Sequence, residues 1–266
     1  MQHLTWNIDR VLFHFGPFHV YWYGLLFATG ISFGFGVMRW FFGREGKEVR
    51  DVESLVLYIM VGTIIGARLG HVLFYDPGYY LSHPVEILEF WRGGLASHGG
   101  AIGIFIALYL YSRRHQDQPY MWLLDRIFIA SIAGGVFIRI GNFFNSEIVG
   151  TPSDLPWAVV FSRIDTLPRH PTQLYEALVY AVTVVILLLV YKRCYPHLRT
   201  GLISGLSLVL VFTSRFFLEF VKMRQAAYEG ALSLSVGQWL SLPFIVLGLI
   251  VLIQSLRQGH KGVTTR

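Results

Sequence analysis

Seven stretches of this chain are apolar for long enough to cross a lipid bilayer, and nothing else in the sequence restricts the fold as tightly. Inside hydrocarbon every backbone N–H and C=O must be satisfied by the chain itself, which leaves helices and closed barrels. A helical span needs roughly 20 mostly apolar residues. Such segments run approximately over 20–41, 53–75, 93–111, 121–142, 174–191, 201–221 and 237–256. The first and last are nearly free of charge, whereas the second, fourth and sixth carry charges within them. The third is short and glycine-rich at its start, as a broken or re-entrant segment would be. Composition agrees: 54% of the 266 residues are hydrophobic and 14% are charged, against about 25% charged in soluble domains. The expected fold is an all-α polytopic membrane protein of about seven transmembrane helices, organised as one membrane domain over residues 1–266. No repeat of 20–50 residues is present.

The distribution of Lys and Arg predicts orientation. Twelve lie in one set of connections: Arg39, Arg44, Lys47, Arg50, Arg113, Arg114, Lys192, Arg193, Arg199, Arg257, Lys261 and Arg266. Six lie in the other: Arg10, Arg92, Arg163, Arg169, Lys222 and Arg224. The richer side is expected to face the cytoplasm, with the N-terminus outside and the C-terminus inside. The net charge of +6 therefore reads as topology determinants and contacts with anionic lipid rather than as a nucleic-acid surface. Met1 to Arg10 lacks a basic stretch followed by an apolar core, so insertion is expected to rely on the spans. The one cysteine, Cys194, excludes a disulfide within the chain and any cysteine-based metal site.

The remaining four basic residues, Arg68, Arg126, Arg139 and Arg215, lie in or at the edge of spans. A charge at mid-membrane costs roughly 2.5–3.5 kcal/mol on insertion scales and survives where it meets a cavity or a partner. Arg215 and Glu219 stand one helical turn apart and can form an intrahelical ion pair. Arg68 or Arg139 alone can snorkel or hold a structural hydrogen bond. Arg126, beside Asp125, reads as snorkelling or paired. Taken together, Arg68, Arg139 and Arg215 imply a positive cavity suited to an anionic headgroup, because guanidinium binds phosphate in a bidentate fork. His98 stands between glycine pairs that let a backbone or a substrate approach closely. Imidazole can accept a proton near neutral pH, although a lone histidine is as readily structural. Asn142 shares a helical face with Arg139, and Asn145 and Glu147 follow where that helix is expected to end. Both asparagines can cap the helix or donate to ester and phosphate oxygens. No Asp-rich motif, HExxH pair or nucleophile elbow is present.

The run Arg139-Ile140-Gly141-Asn142-Phe143-Phe144-Asn145-Ser146-Glu147-Ile148-Val149-Gly150 closely resembles the signature of the bacterial prolipoprotein diacylglyceryl transferases. So do Trp22-Tyr23-Gly24, Gly66-Ala67-Arg68-Leu69-Gly70 and Gly93-Gly94-Leu95-Ala96-Ser97-His98-Gly99-Gly100. Arg169-His170-Pro171-Thr172-Gln173-Leu174-Tyr175-Glu176 and Arg215-Phe216-Phe217-Leu218-Glu219-Phe220 complete the set. The resemblance implies a multi-pass enzyme of the bacterial cytoplasmic (inner) membrane, with its active site towards the outer (periplasmic) leaflet. It implies transfer of the diacylglyceryl group of phosphatidylglycerol to the lipobox cysteine of a prolipoprotein signal peptide, with release of glycerol phosphate. The partners implied are those two substrates and membrane lipids, with no nucleic acid, no metal and no cofactor. On this reading His98 is the candidate base, Arg139 holds the phosphate with Asn142, and Arg215 stabilises the departing phosphate with Glu219 orienting it. Glu147, Gly150, Tyr23 and Arg68 shape or support the pocket. An arginine-rich field that lowers the thiol pKa is the alternative to a histidine base, and His71 is a second candidate base. The chain departs from the family pattern at Val211 and His71, where tyrosine is expected, and at Lys222, where arginine is expected. A transporter of anions or anionic lipid also wants intramembrane arginines, but such folds usually carry internal repeats.

Overall fold

The computed structural model describes residues 3–224 and 233–258; Lys261 and Arg266, counted above for orientation, lie outside them. The chain is mostly helical. Among the described residues seven long helices occur: α1 (Trp22–Arg44), α2 (Asp51–Phe74), α4 (Ser97–Arg114), α5 (Tyr120–Asn145), α6 (Thr172–Cys194), α7 (Leu202–Leu218) and α8 (Val236–Gln258). A short helix, α3 (Pro77–Ser82), follows α2. Six of the helices are long and apolar enough to cross a membrane; Ser97–Arg114 is not among those six. It begins four residues later than position 93 because Gly93 and Gly94 take φ of 92° and 66°, values outside the helical region.

To this mostly helical plan the described residues add five short strands that the all-α expectation did not include. β1 (Leu4–Trp6), β4 (Val159–Phe161) and β5 (Pro168–Arg169) form a three-stranded sheet in the order β1-β4-β5. β1 runs parallel to β4, while β4 and β5 are antiparallel. β2 (Val11–Phe15) and β3 (Phe18–Tyr21) form an antiparallel hairpin. Such short strands between hydrophobic spans leave little periodicity to detect.

The chain divides into two compact units, Met1–Val37 with Asp125–Arg266, and Met38–Leu124. In the first, Phe143, Val149, Val159 and Phe161 form a small core with Trp6 packed against it. There α7 and α8 meet at Gly205, where a Cβ would lie 2.7 Å from the Leu252 backbone nitrogen. The Phe212 and Phe244 rings stack 4.5 Å apart in the same unit. Asp125 on α5 is buried and accepts the N–H of Gly201 at 2.9 Å and of Ser204 at 2.8 Å. It thus occupies the positive N-terminal end of α7. Arg126 beside it is only 5% exposed, so it does not snorkel; its guanidinium lies 3.9 Å from Asp125.

In the second unit α2 and α4 pack through glycines. A Cβ at Gly66 would lie 2.4 Å from the Gly99 carbonyl oxygen, and one at Gly103 would lie 2.0 Å from that of Gly62. Only glycine permits backbones this close. Gly99, beside His98, therefore admits a neighbouring backbone.

Candidate functional site

The C-terminal end of α5 holds the densest polar construction in the first unit. The helix stops at Asn145, and Ser146 and Ile148 adopt φ of 56° and 55°. A β-branched residue there is a steric outlier, costing about 1–3 kcal/mol that surrounding structure must offset. Several bonds hold this turn. The Glu147 N–H donates to the Asn142 carbonyl at 2.9 Å. The Thr172 hydroxyl donates to the Ile148 carbonyl at 2.8 Å, and the Gln173 amide donates to the Glu147 carbonyl. The Glu147 carboxylate accepts from Asn142 and from Asn145, each at 3.0 Å. Arg139 donates through Nη1 to Asn142 Oδ1 at 3.3 Å. Arg139, Asn142 and Glu147 are thus one chain of side chains, fixed by a turn that α6 clamps.

Charge is balanced through a residue the sequence reading gave no role. Glu176 on α6 is 1% exposed. Its Oε2 lies 2.9 Å from Arg139 Nε and its Oε1 2.6 Å from Lys222 Nζ. Lys222 also lies 3.4 Å from Glu219 Oε2. Two cations and two carboxylates therefore neutralise one another in a region of low dielectric, where an unpaired charge would be very costly. Lys222, counted above among loop charges, is buried.

Gly150 is required by its neighbours. Its N–H donates to the His170 carbonyl at 3.0 Å, and it forms an antiparallel bridge with Lys222. A Cβ at Gly150 would sit 2.5 Å from His170 Cβ. Its carbonyl accepts from Arg169 Nη1 at 3.2 Å. Arg169 also binds Asp165 in a short ion pair, which holds the Asp165 carboxyl below its ordinary range and raises Arg169.

The ion pair that the spacing of Arg215 and Glu219 allows does not form among the described residues. α7 ends at Leu218, and Glu219 opens a 3-10 turn, Glu219–Val221. Its carboxylate turns instead to Lys222 and sits against Gly237, where a Cβ would lie 2.5 Å from Glu219 Cδ. A cavity of about 290 Å³ is lined by Glu219, Lys222, Thr151 and Gln238. The half-buried Arg215 guanidinium has no hydrogen-bond or ion-pair partner among the described residues. Tyr23 on α1 lays its ring over Gly141, where a Cβ would be 3.0 Å from the ring.

Arg68, His71 and His98 belong to the second unit. Arg68 is 6% exposed. It donates to the carbonyls of Glu86, Ile87, Gly93 and Gly94 and lies over the Tyr80 ring. A guanidinium used in this way ties α2 to the connector before α4. His98 is exposed, with its ring near those of Phe74 and Tyr75, and the ring makes no hydrogen bond among the described residues. His71 stacks on Tyr75 at 5.3 Å. No group of three or more His, Cys, Asp or Glu among the described residues could hold a metal ion.

Glu176, Lys222, Thr172 and Gln173 had a signal in the sequence. Glu176 is a carboxylate inside an apolar span, and Thr172 and Gln173 follow a proline at a helix start. What the sequence lacked was the pairing of Glu176 with Arg139, a residue 37 positions earlier on another helix.

Comparison with known proteins gives a consistent picture. The profile of the family described as prolipoprotein diacylglyceryl transferase matches residues 10–254. A phosphatidylglycerol–prolipoprotein diacylglyceryl transferase from Tolumonas auensis is 49% identical over 96% of this chain and 98% of its own length. Proteins of the same name from Chloroherpeton thalassium and Bacteroides fragilis are 47% and 42% identical, over 99% and 92% of this chain and 98% and 93% of their own lengths.

Proposed function

The chain belongs to the prolipoprotein diacylglyceryl transferase family, and on that premise we propose how its residues carry out the transfer. It is a transferase of lipoprotein maturation, moving the diacylglyceryl group of phosphatidylglycerol to a prolipoprotein. The observation that carries this is the 47–49% identity, over nearly the whole chain, with relatives bearing that name. The acceptor is the lipobox cysteine thiol. Its sulfur attacks the glycerol carbon that bears the phosphodiester, the C–O bond breaks, and glycerol phosphate leaves as a thioether forms.

Two problems must be solved. A thiol of pKa about 8.5 is mostly protonated at neutral pH, and negative charge accumulates on the departing phosphate. Arg139 and Asn142 hold the phosphate of the donor, and Arg215 stabilises the charge that develops on it. The pairing of Arg139 with Glu176 supports this, because it fixes the guanidinium before substrate arrives. Arg215 supports it too, because a cation without a counter-ion among the described residues is available to an anion. Glu219, turned towards Lys222, borders the polar cavity and orients the departing group through that network. Glu147, Gly150 and Tyr23 set the shape of the α5 end, and Arg68 supports the connector before α4. His98 takes the thiol proton, with His71 as the alternative base.

The chain resides in the bacterial inner membrane as a single seven-span domain, Ser97–Arg114 being the seventh crossing. The N-terminus is periplasmic, the C-terminus cytoplasmic, and the site opens to the outer leaflet. Membranes carrying Arg139→Ala or Arg215→Ala, assayed with a lipobox peptide and phosphatidylglycerol, are expected to lose about 10²–10³-fold in transfer. Near-normal transfer in either variant removes that residue's role. A pH–rate profile of His98→Gln that matches the wild type removes His98 as base.

A further inference from the structure

Arg139 is gripped by α6 at two points one turn apart. The first is the Glu176 carboxylate on Nε, 2.9 Å away. The second is Tyr180, whose ring centroid lies 5.9 Å from the guanidinium carbon, within the range in which a cation is attracted to a ring face. The ring itself is seated on α5. A Cβ at Gly135, one turn before Arg139, would stand 3.2 Å from Tyr180 Cδ2 and 3.4 Å from Cε2. The Tyr180 hydroxyl makes no hydrogen bond among the described residues, so the ring is the part of this side chain that meets Arg139. The guanidinium has five N–H groups. Nε serves Glu176 and one N–H of Nη1 serves Asn142. The other three have no partner among the described residues.

We propose that Tyr180 is a positioning residue, whose ring, seated against Gly135, holds the guanidinium plane of Arg139 so that its three uncommitted N–H groups meet the donor lipid's phosphate. This rests on Arg139 being the phosphate-holding group. Glu176 meets Nε and Asn142 meets Nη1, two contacts made at the edge of the guanidinium. The Tyr180 ring, with the guanidinium carbon over it, adds a third contact before the lipid binds, and preorganised donors bind an anion more tightly than mobile ones.

The test is steady-state transfer in membranes, with phosphatidylglycerol and the lipobox peptide varied in turn and variants matched for enzyme amount and thermal midpoint. Tyr180→Phe keeps the ring and is expected to stay within about twofold of wild type, whereas Tyr180→Leu should raise KM for phosphatidylglycerol about fivefold. KM for the peptide should not change. Gly135→Leu, which drives the ring from its seat, should reproduce the lipid-specific effect, and it carries the test if Tyr180→Leu does not accumulate. In an Arg139→Lys background Tyr180→Leu should add nothing, because residues acting through one another are not additive. Equal KM values for the Phe and Leu variants overturn the proposal, as does an undiminished Leu effect in the Arg139→Lys background. If Arg139→Lys itself behaves as wild type, the role of Arg139 fails and this inference with it. If Arg139→Lys is impaired and Tyr180→Leu is silent, only the inference fails.

Discussion

Glu176 is a buried carboxylate between two cations on different elements, and its removal would leave both without a counter-charge. Breaking a buried pair in this way costs about 3–5 kcal/mol. Glu176→Ala is therefore expected to lower the thermal midpoint in detergent and to abolish transfer. Lys222→Arg, which keeps the charge, should retain most of both, whereas Lys222→Met should behave more like Glu176→Ala. The Asp165–Arg169 pair makes a different prediction. Its carboxyl is held below the ordinary value in the folded chain, so its contribution is complete above the unfolded pKa of about 3.9. That contribution is lost as pH falls through the depressed folded value. Wild type should lose stability more steeply than Asp165→Asn below about pH 4, read as the midpoint difference between the two proteins across a pH series. At this scale the sequence showed which residues were unusual for their surroundings, Arg139 and Arg215 among them. It did not show their partners. The i,i+4 spacing of Arg215 and Glu219 allowed an ion pair, but Glu219 opens a 3-10 turn and its carboxylate meets Lys222 instead.

At the scale of elements, glycine sets how closely helices approach. α2 and α4 meet where Gly62, Gly66, Gly99 and Gly103 bring backbones within each other's van der Waals envelope. Gly103→Val would force its side chain onto the Gly62 carbonyl, so the helices must separate. Overpacking of that kind costs about 1–3 kcal/mol and should appear as a lowered midpoint with the helical content retained by circular dichroism. Arg68 ties α2 to the connector that precedes α4 through the carbonyls of Glu86, Ile87, Gly93 and Gly94. Arg68→Met should leave those acceptors unsatisfied and speed amide exchange in residues 83–94, with α5 to α8 unchanged. The helices themselves were legible, since apolar runs of this length have one solution in a bilayer. Their ends were legible to within a few residues, except at α4, where two left-handed glycines delay the helix start. The strands escaped because two to five residues carry too little alternation.

For the whole molecule, the Lys and Arg bias makes a topological prediction that Cys194 can test. It ends α6 beside Lys192 and Arg193 and is partly exposed. Under the proposed orientation a membrane-impermeant maleimide should leave Cys194 unlabelled in intact cells and label it after permeabilisation; labelling in intact cells would reverse the topology. By itself the sequence determined the solvent, the helical plan and the family. Those follow from hydropathy length, backbone hydrogen bonding in lipid and motifs contiguous in the chain. Only the tertiary structure decided which charges neutralise one another and which do not. Glu176 reaches Arg139 and Lys222 across separate helices, while Arg215 is left without a protein counter-ion among the described residues. A charge inside apolar surroundings announces in the sequence that a partner or ligand must exist. Which one it meets depends on distances of a few ångströms between segments far apart in the chain, and these are set by packing rather than by local pattern.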